Sequence, residues 1–123
     1  MFAMHSHIFG EVMDIEPDRL AGRRTTATVI GRVRAKFLIA AFLCIETALV
    51  QFYFRDWLIT GFLAIGALWF LVDATLLWKE RAYSPSEMRL FLWGWNTAAL
   101  LGMIWDWSSG TLTHVVPRSG LPL

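Results

Sequence analysis

Between Glu11 and Thr26 the chain reads EVMDIEPDRLAGRRTT, with four carboxylates in eight residues, Glu11, Asp14, Glu16 and Asp18. Arg23, Arg24, Thr25 and Thr26 follow at once. Carboxylates crowded this closely repel one another unless a cation lies between them. Hard oxygen donors suit Mg²⁺, which keeps several waters and is often held by one or two carboxylates together with substrate phosphates. Arginines a few residues on are placed to bind the phosphate oxygens that a metal leaves uncovered. The chemistry suggested is metal-assisted handling of a phosphorylated substrate. The plainer alternative is a solvated loop whose charges balance.

The elements around this stretch follow from local rules. Glu11, Asp14 and Asp18 are spaced i, i+3, i+7, one face of a continuous helix. Pro17 interrupts such a helix. An incoming helix is therefore expected to end near Asp14. A short second helix should start around Ile15, with Pro17 in its first turn and Gly22 at its end. The two aspartates would then sit close together across a bend.

The rest of the chain is a membrane sequence. Of 123 residues, 56% are hydrophobic and 17% charged, against about 45–50% and 25% in soluble domains. A net charge of +1 provides no basic field for nucleic acid. The single cysteine, Cys44, excludes an internal disulfide and a cysteine-based zinc site. Three apolar runs, 37–54, 57–78 and 90–107, hold one acidic residue each, Glu46, Asp73 and Asp106. Each approaches the roughly 20 residues that cross about 30 Å of hydrocarbon. The expected fold is all-α, an integral membrane bundle of three transmembrane helices. Arg55-Asp56 turns the first span into the second, and Ser84-Pro85 turns before the third, where Ser86 is placed to cap. A truncated helical stub and the acidic loop occupy 1–36, and a tail occupies 108–123.

Nine of the eleven Lys and Arg residues lie before the first span or between the second and third. The positive-inside rule puts those segments in the cytoplasm and the carboxyl terminus outside, in a multi-pass arrangement as in a bacterial inner membrane. Tryptophans 57, 78, 93, 105 and 107 fall near span ends as interfacial anchors. Asp73 and Asn96 lie in the cytoplasmic halves of their spans. They are candidates for lining a cavity or for an interhelical hydrogen bond. Glu46 falls near mid-bilayer. Gly94, Ala98 and Gly102, and likewise Ala40, Cys44 and Ala48, recur every four residues as packing stripes. His5 and His7 read as structural or exposed, and no chemistry is expected of His114.

Glu11 to Thr25 resembles the second aspartate-rich motif of UbiA-type membrane prenyltransferases, roughly E-x-x-D-x-E-x-D-(K/R)-x-x-G-(K/R)-x-T. The likeness covers fifteen consecutive residues and is followed by Ile30-Gly31 and a membrane helix. It implies that the three spans correspond to the last third of a nine-helix fold. It implies transfer of a prenyl group from an isoprenyl diphosphate to an aromatic or other lipid-soluble acceptor. Asp14 and Asp18 would be Mg²⁺ ligands, Glu11 a further ligand or an orienting residue, and Arg23 and Arg24 diphosphate-binding. The family's first motif, N-D-x-x-D, does not occur in this chain. A missing amino-terminal half or another membrane protein is therefore expected as partner, and the chain is expected to be inactive alone. A second reading is a non-catalytic three-span protein that packs against a larger partner.

Overall fold

A computed structural model describes residues 2–110, and side chains from Met4 onward. Those residues form six α-helices and no strand: α1 Phe2–Met13, α2 Ile15–Leu20, α3 Thr26–Ile30, α4 Arg32–Tyr53, α5 Trp57–Thr75 and α6 Pro85–Ser109. The all-α expectation holds. The expected tail lies outside the described residues from 111 on, while Ser108 and Ser109 belong to α6.

The helix limits depart from the apolar runs for local reasons. Gly31, at φ 88°, ends α3 and lets α4 begin at Arg32, so Arg32, Arg34 and Lys36 lie inside the helix. Arg55 takes φ 55°, and the Asp56 carboxylate accepts the Ile59 N–H at 2.9 Å, which starts α5 antiparallel to α4. At its far end α5 stops at Thr75 rather than running on to Trp78. The N–H groups of Leu76 and Leu77 both turn back to the Val72 carbonyl, and Lys79 (φ 46°) closes onto the Asp73 carbonyl. The start of α6 is capped by Ser84, not Ser86. The Ser84 hydroxyl accepts the Glu87 N–H, and the Glu87 carboxylate accepts the Ser84 N–H at 2.7 Å. Pro85 then occupies the first helical position, where its missing N–H costs nothing.

The core is a layer of α1 and α2 laid on the α4–α5 hairpin. Ile8, Val12 and Ile15 meet Ala35, Ile39, Ala40 and Leu43, with Leu63, Ala67 and Phe70 from α5. On α4 the inward face is 32, 35, 36, 39, 40, 43 and 46, an i, i+3, i+4 pattern. The Ala40–Cys44–Ala48 stripe is therefore not the packing face: Ala40 is buried, but Cys44 and Ala48 are exposed. Helix α6 buries Asp106 alone and presents Leu92, Trp93, Leu100, Leu101 and Met103 outward. Among the described residues one helix, Trp57–Thr75, is marked by length and hydropathy together as able to cross a membrane. Helices α4 and α6, at 22 and 25 residues, are longer and take charged residues into the helix.

Candidate functional site

Pro17 builds the acidic turn. It has no N–H to give the Met13 carbonyl, so one rung of the helical ladder is lost and α1 ends there. The neighbouring rungs survive. The Asp14 N–H donates to the Gly10 carbonyl at 3.0 Å, and the Asp18 N–H donates to the Asp14 carbonyl at 2.8 Å. Asp14 and Asp18 thus lie one hydrogen-bonded turn apart, with Asp14 itself, at φ −96° and ψ 10°, forming the break between α1 and α2. Asp14 is exposed and makes no side-chain cap, while the Asp18 side chain is 10% exposed.

The turn then closes on itself. Gly22 adopts φ 67°, a left-handed conformation that glycine takes without penalty. The Gly22 N–H bonds to the Arg19 carbonyl at 3.1 Å and the Arg23 N–H to the Asp18 carbonyl at 2.8 Å, a Schellman cap. This folds Arg23 back over the turn, its Nη1 3.7 Å from Asp18 Oδ1 with the side chain largely in solvent. Arg24 is exposed beside it. Thr25 caps α3 through a reciprocal box with Thr28.

Glu11 is otherwise engaged. Its Oε2 accepts the Ala27 N–H at 3.0 Å, at the start of α3, and its Oε1 lies 3.2 Å from His7 Nε2. Of the two roles expected for Glu11, the orienting one matches these bonds. Among the described residues no group of three or more His, Cys, Asp or Glu side chains is gathered closely enough to hold a metal ion. Asp14 and Asp18 are two carboxylates one turn apart, the first exposed and the second largely covered. Protein sites for Mg²⁺ often supply one or two carboxylates and leave the other positions to water and phosphate.

Several charged residues that the motif reading passed over anchor the turn. Glu16 Oε1 accepts from buried Arg32 Nη2 at 2.8 Å, which ties α2 to α4. One turn on, fully buried Lys36 places Nζ 2.9 Å from Asp73 Oδ2 and donates to the Lys79 carbonyl at 2.9 Å. The Tyr83 hydroxyl donates to the same Asp73 oxygen, and Lys36 Nζ sits 4.8 Å from the centre of the Tyr83 ring. Burial, then Asp73, pushes the Tyr83 phenol up. Asp73 is therefore an ion-pair partner inside the bundle, and Asn96 is exposed. Deeper in, His5 Nδ1 lies 3.0 Å from Glu46 Oε2, both side chains nearly buried, so Glu46 serves to dock α1 on α4. The signal for these pairs was the charges themselves in apolar runs; their partners lie up to 43 residues away.

Next to this polar layer opens an apolar cavity of about 290 Å³, lined by Phe9, Phe62, Trp69, Phe70, Phe91 and Trp95 among others. Phe9 meets Phe70, Tyr83 and Phe91 edge-on at 5.3, 6.3 and 5.9 Å. The α5 residues of the lining, 62, 65, 66, 69 and 70, form one face, and Asp73 is its next member. An apolar hollow therefore leads along α5 toward a charged end, and α1 carries both a wall of the hollow and, five residues on, Asp14.

A sequence model of the UbiA prenyltransferase family matches residues 1–95. The chain belongs to the UbiA prenyltransferase family. It is accordingly a membrane protein of a prenyl-transferring family. Two curated relatives are named lycopene elongase/hydratase. The one from Halobacterium salinarum is 54% identical over 35 residues, 28% of this chain and 13% of its own length. The one from Haloferax volcanii is 49% identical over 41 residues, 33% of this chain and 14% of its own. The chain thus matches about a seventh of these relatives' length. No solved structure matches it.

Proposed function

We propose that this chain is the diphosphate-gripping part of a multi-pass membrane prenyltransferase that moves a prenyl group from an isoprenyl diphosphate to a lipid-soluble acceptor. The observation that carries the reading is the acidic turn, with Asp14 and Asp18 one hydrogen-bonded turn apart and Arg23 3.7 Å from Asp18, following directly on the helix whose Phe9 lines an aromatic hollow. Helices α4, α5 and α6 cross the bilayer, and the acidic turn lies at the cytoplasmic face with the carboxyl terminus outside. The distribution of Lys and Arg supports that orientation.

In this reading Asp14 and Asp18 hold Mg²⁺, and Arg23 and Arg24 bind the diphosphate oxygens beside it. When bound, the ion withdraws charge from the diphosphate and favours its departure. The remaining work belongs to the chain itself. Glu11 holds α1 against α3 so that the two aspartates keep their register. Arg32 fixes α2 through Glu16. The hollow takes the apolar tail and keeps water from the electron-poor prenyl carbon. The relatives' name suggests a lycopene-like polyene as acceptor. Since N-D-x-x-D does not occur in these 123 residues, we assign the first acidic half-site to polypeptide outside them, and expect no turnover by the chain alone.

The test is binding of geranyl diphosphate to the chain in lipid nanodiscs with and without Mg²⁺. Affinity should require the ion and fall about tenfold or more, the loss of a charge-assisted contact, in Asp14→Ala or Asp18→Ala. Affinity unchanged by both substitutions would remove the site and leave a packing protein.

A further inference from the structure

The hollow does not run unbroken along the α5–α6 seam. Beyond the cavity that Phe9 lines is a second of about 180 Å³, lined by Ile59, Phe62, Ala98, Gly102, Met103 and Asp106. Phe62 borders both. Because α5 and α6 run antiparallel, the first cavity faces the half of the seam nearer the 76–84 connection and the second the half farther from it.

Trp95 lies where they would join. Its ring centre is 5.1 Å from that of Phe62 on α5 and 5.4 Å from that of His5 on α1. Its third contact is Gly66. A Cβ on Gly66 would come within 3.2 and 3.3 Å of the indole ring, so the glycine is what allows the ring to approach α5 this closely. His5 is itself held by Glu46 of α4. The indole is thus wedged between residues of two helices, α5 and α1, the second of them anchored to α4, and swinging it aside would sacrifice these contacts.

We propose that Trp95, seated on Gly66 and Phe62, is the stop that sets how long an isoprenyl chain the groove accepts. The inference rests on the prenyltransferase reading and deepens it. The occupant is the tail of the diphosphate substrate. The lining of the first cavity is entirely apolar and begins at Phe9, about 8 Å of helix axis before Asp14. An anionic head on the acidic turn therefore directs its tail into this cavity and toward Trp95. Short donors end before the indole. Longer ones meet it, and the space behind stays empty.

The experiment compares Mg²⁺-dependent affinities of the full chain in nanodiscs for dimethylallyl, geranyl, farnesyl and geranylgeranyl diphosphate. Trp95→Ala joins the two cavities and should move the preference to donors at least one isoprene unit longer. The change in preference ratio should be about tenfold or more, because one added buried methylene alone is worth roughly fourfold. Phe62→Ala should act in the same direction. Gly102→Leu, added to Trp95→Ala, refills the second cavity and should restore the short preference. If Trp95→Ala does not fold, Trp95→Leu serves in its place. Asp18-dependent binding with an unaltered order of chain lengths in these variants would overturn the stop while sparing the site. A shift confined to a polyene acceptor would overturn the assigned occupant. Absence of Mg²⁺-dependent binding in the parent chain would instead defeat the functional reading, and the inference with it.

Discussion

Removing one partner of the Lys36–Asp73 pair should unfold much of the bundle, whereas replacing both should not. Neither side chain is exposed, and Nζ and Oδ2 are 2.9 Å apart. Lys36→Met leaves Asp73 with the Tyr83 hydroxyl as its remaining donor, on an oxygen away from Oδ1, which has no partner. A buried charge stranded in this way costs about 3–5 kcal/mol. Asp73→Ala leaves the ammonium with the Lys79 carbonyl and the Tyr83 ring, so about 3 kcal/mol is expected, near the bottom of that range. Lys36→Met with Asp73→Leu strands only the Tyr83 hydroxyl and should cost about 2 kcal/mol. The assay is equilibrium unfolding in mixed micelles, followed by the fluorescence of the seven tryptophans. Single losses below about 1 kcal/mol, as for exposed pairs, would refute the burial argument.

Two further outcomes are expected. Gly22→Ala forces a side chain into φ 67°, at a cost of about 1–2 kcal/mol, and should loosen the Arg23 cap, read as faster amide exchange at Arg23. Glu87 is held down to about 2, first by Arg81 and then by the Ser84 backbone. Its contribution to stability is therefore present above its unfolded value of 4.5 and is lost as pH falls toward about 2. Glu87→Gln should flatten that limb of the unfolding curve.

What could be read beforehand was local. Pro17 and Gly22 announce a short helix with a left-handed end because each acts through its own backbone. The break at Asp14 is legible for the same reason, since a proline deletes one rung while the next, from Asp18 to Asp14, still forms. Ser84 and Ser86 are equally good caps by type, and the reach of Glu87 back to the Ser84 N–H decides between them. The long pairs could not be read. Lys36 meets Asp73 and Lys79, and His5 meets Glu46, only after α1, α4 and α5 have packed. A four-residue repeat such as Ala40, Cys44, Ala48 states that a face exists and not which way it turns. Trp95 looked like one more aromatic in an apolar run; its seat depends on Gly66, 29 positions earlier and on another helix.

The central claim is that Asp14 and Asp18 grip a divalent ion and, through it, a diphosphate. Electron paramagnetic resonance of Mn²⁺ titrated into the chain in nanodiscs addresses it directly. The account predicts a bound-ion signal that strengthens when geranyl diphosphate is added and disappears in Asp14→Asn with Asp18→Asn. A signal of equal strength in that double variant, or no bound ion in the parent chain with the diphosphate present, would contradict it.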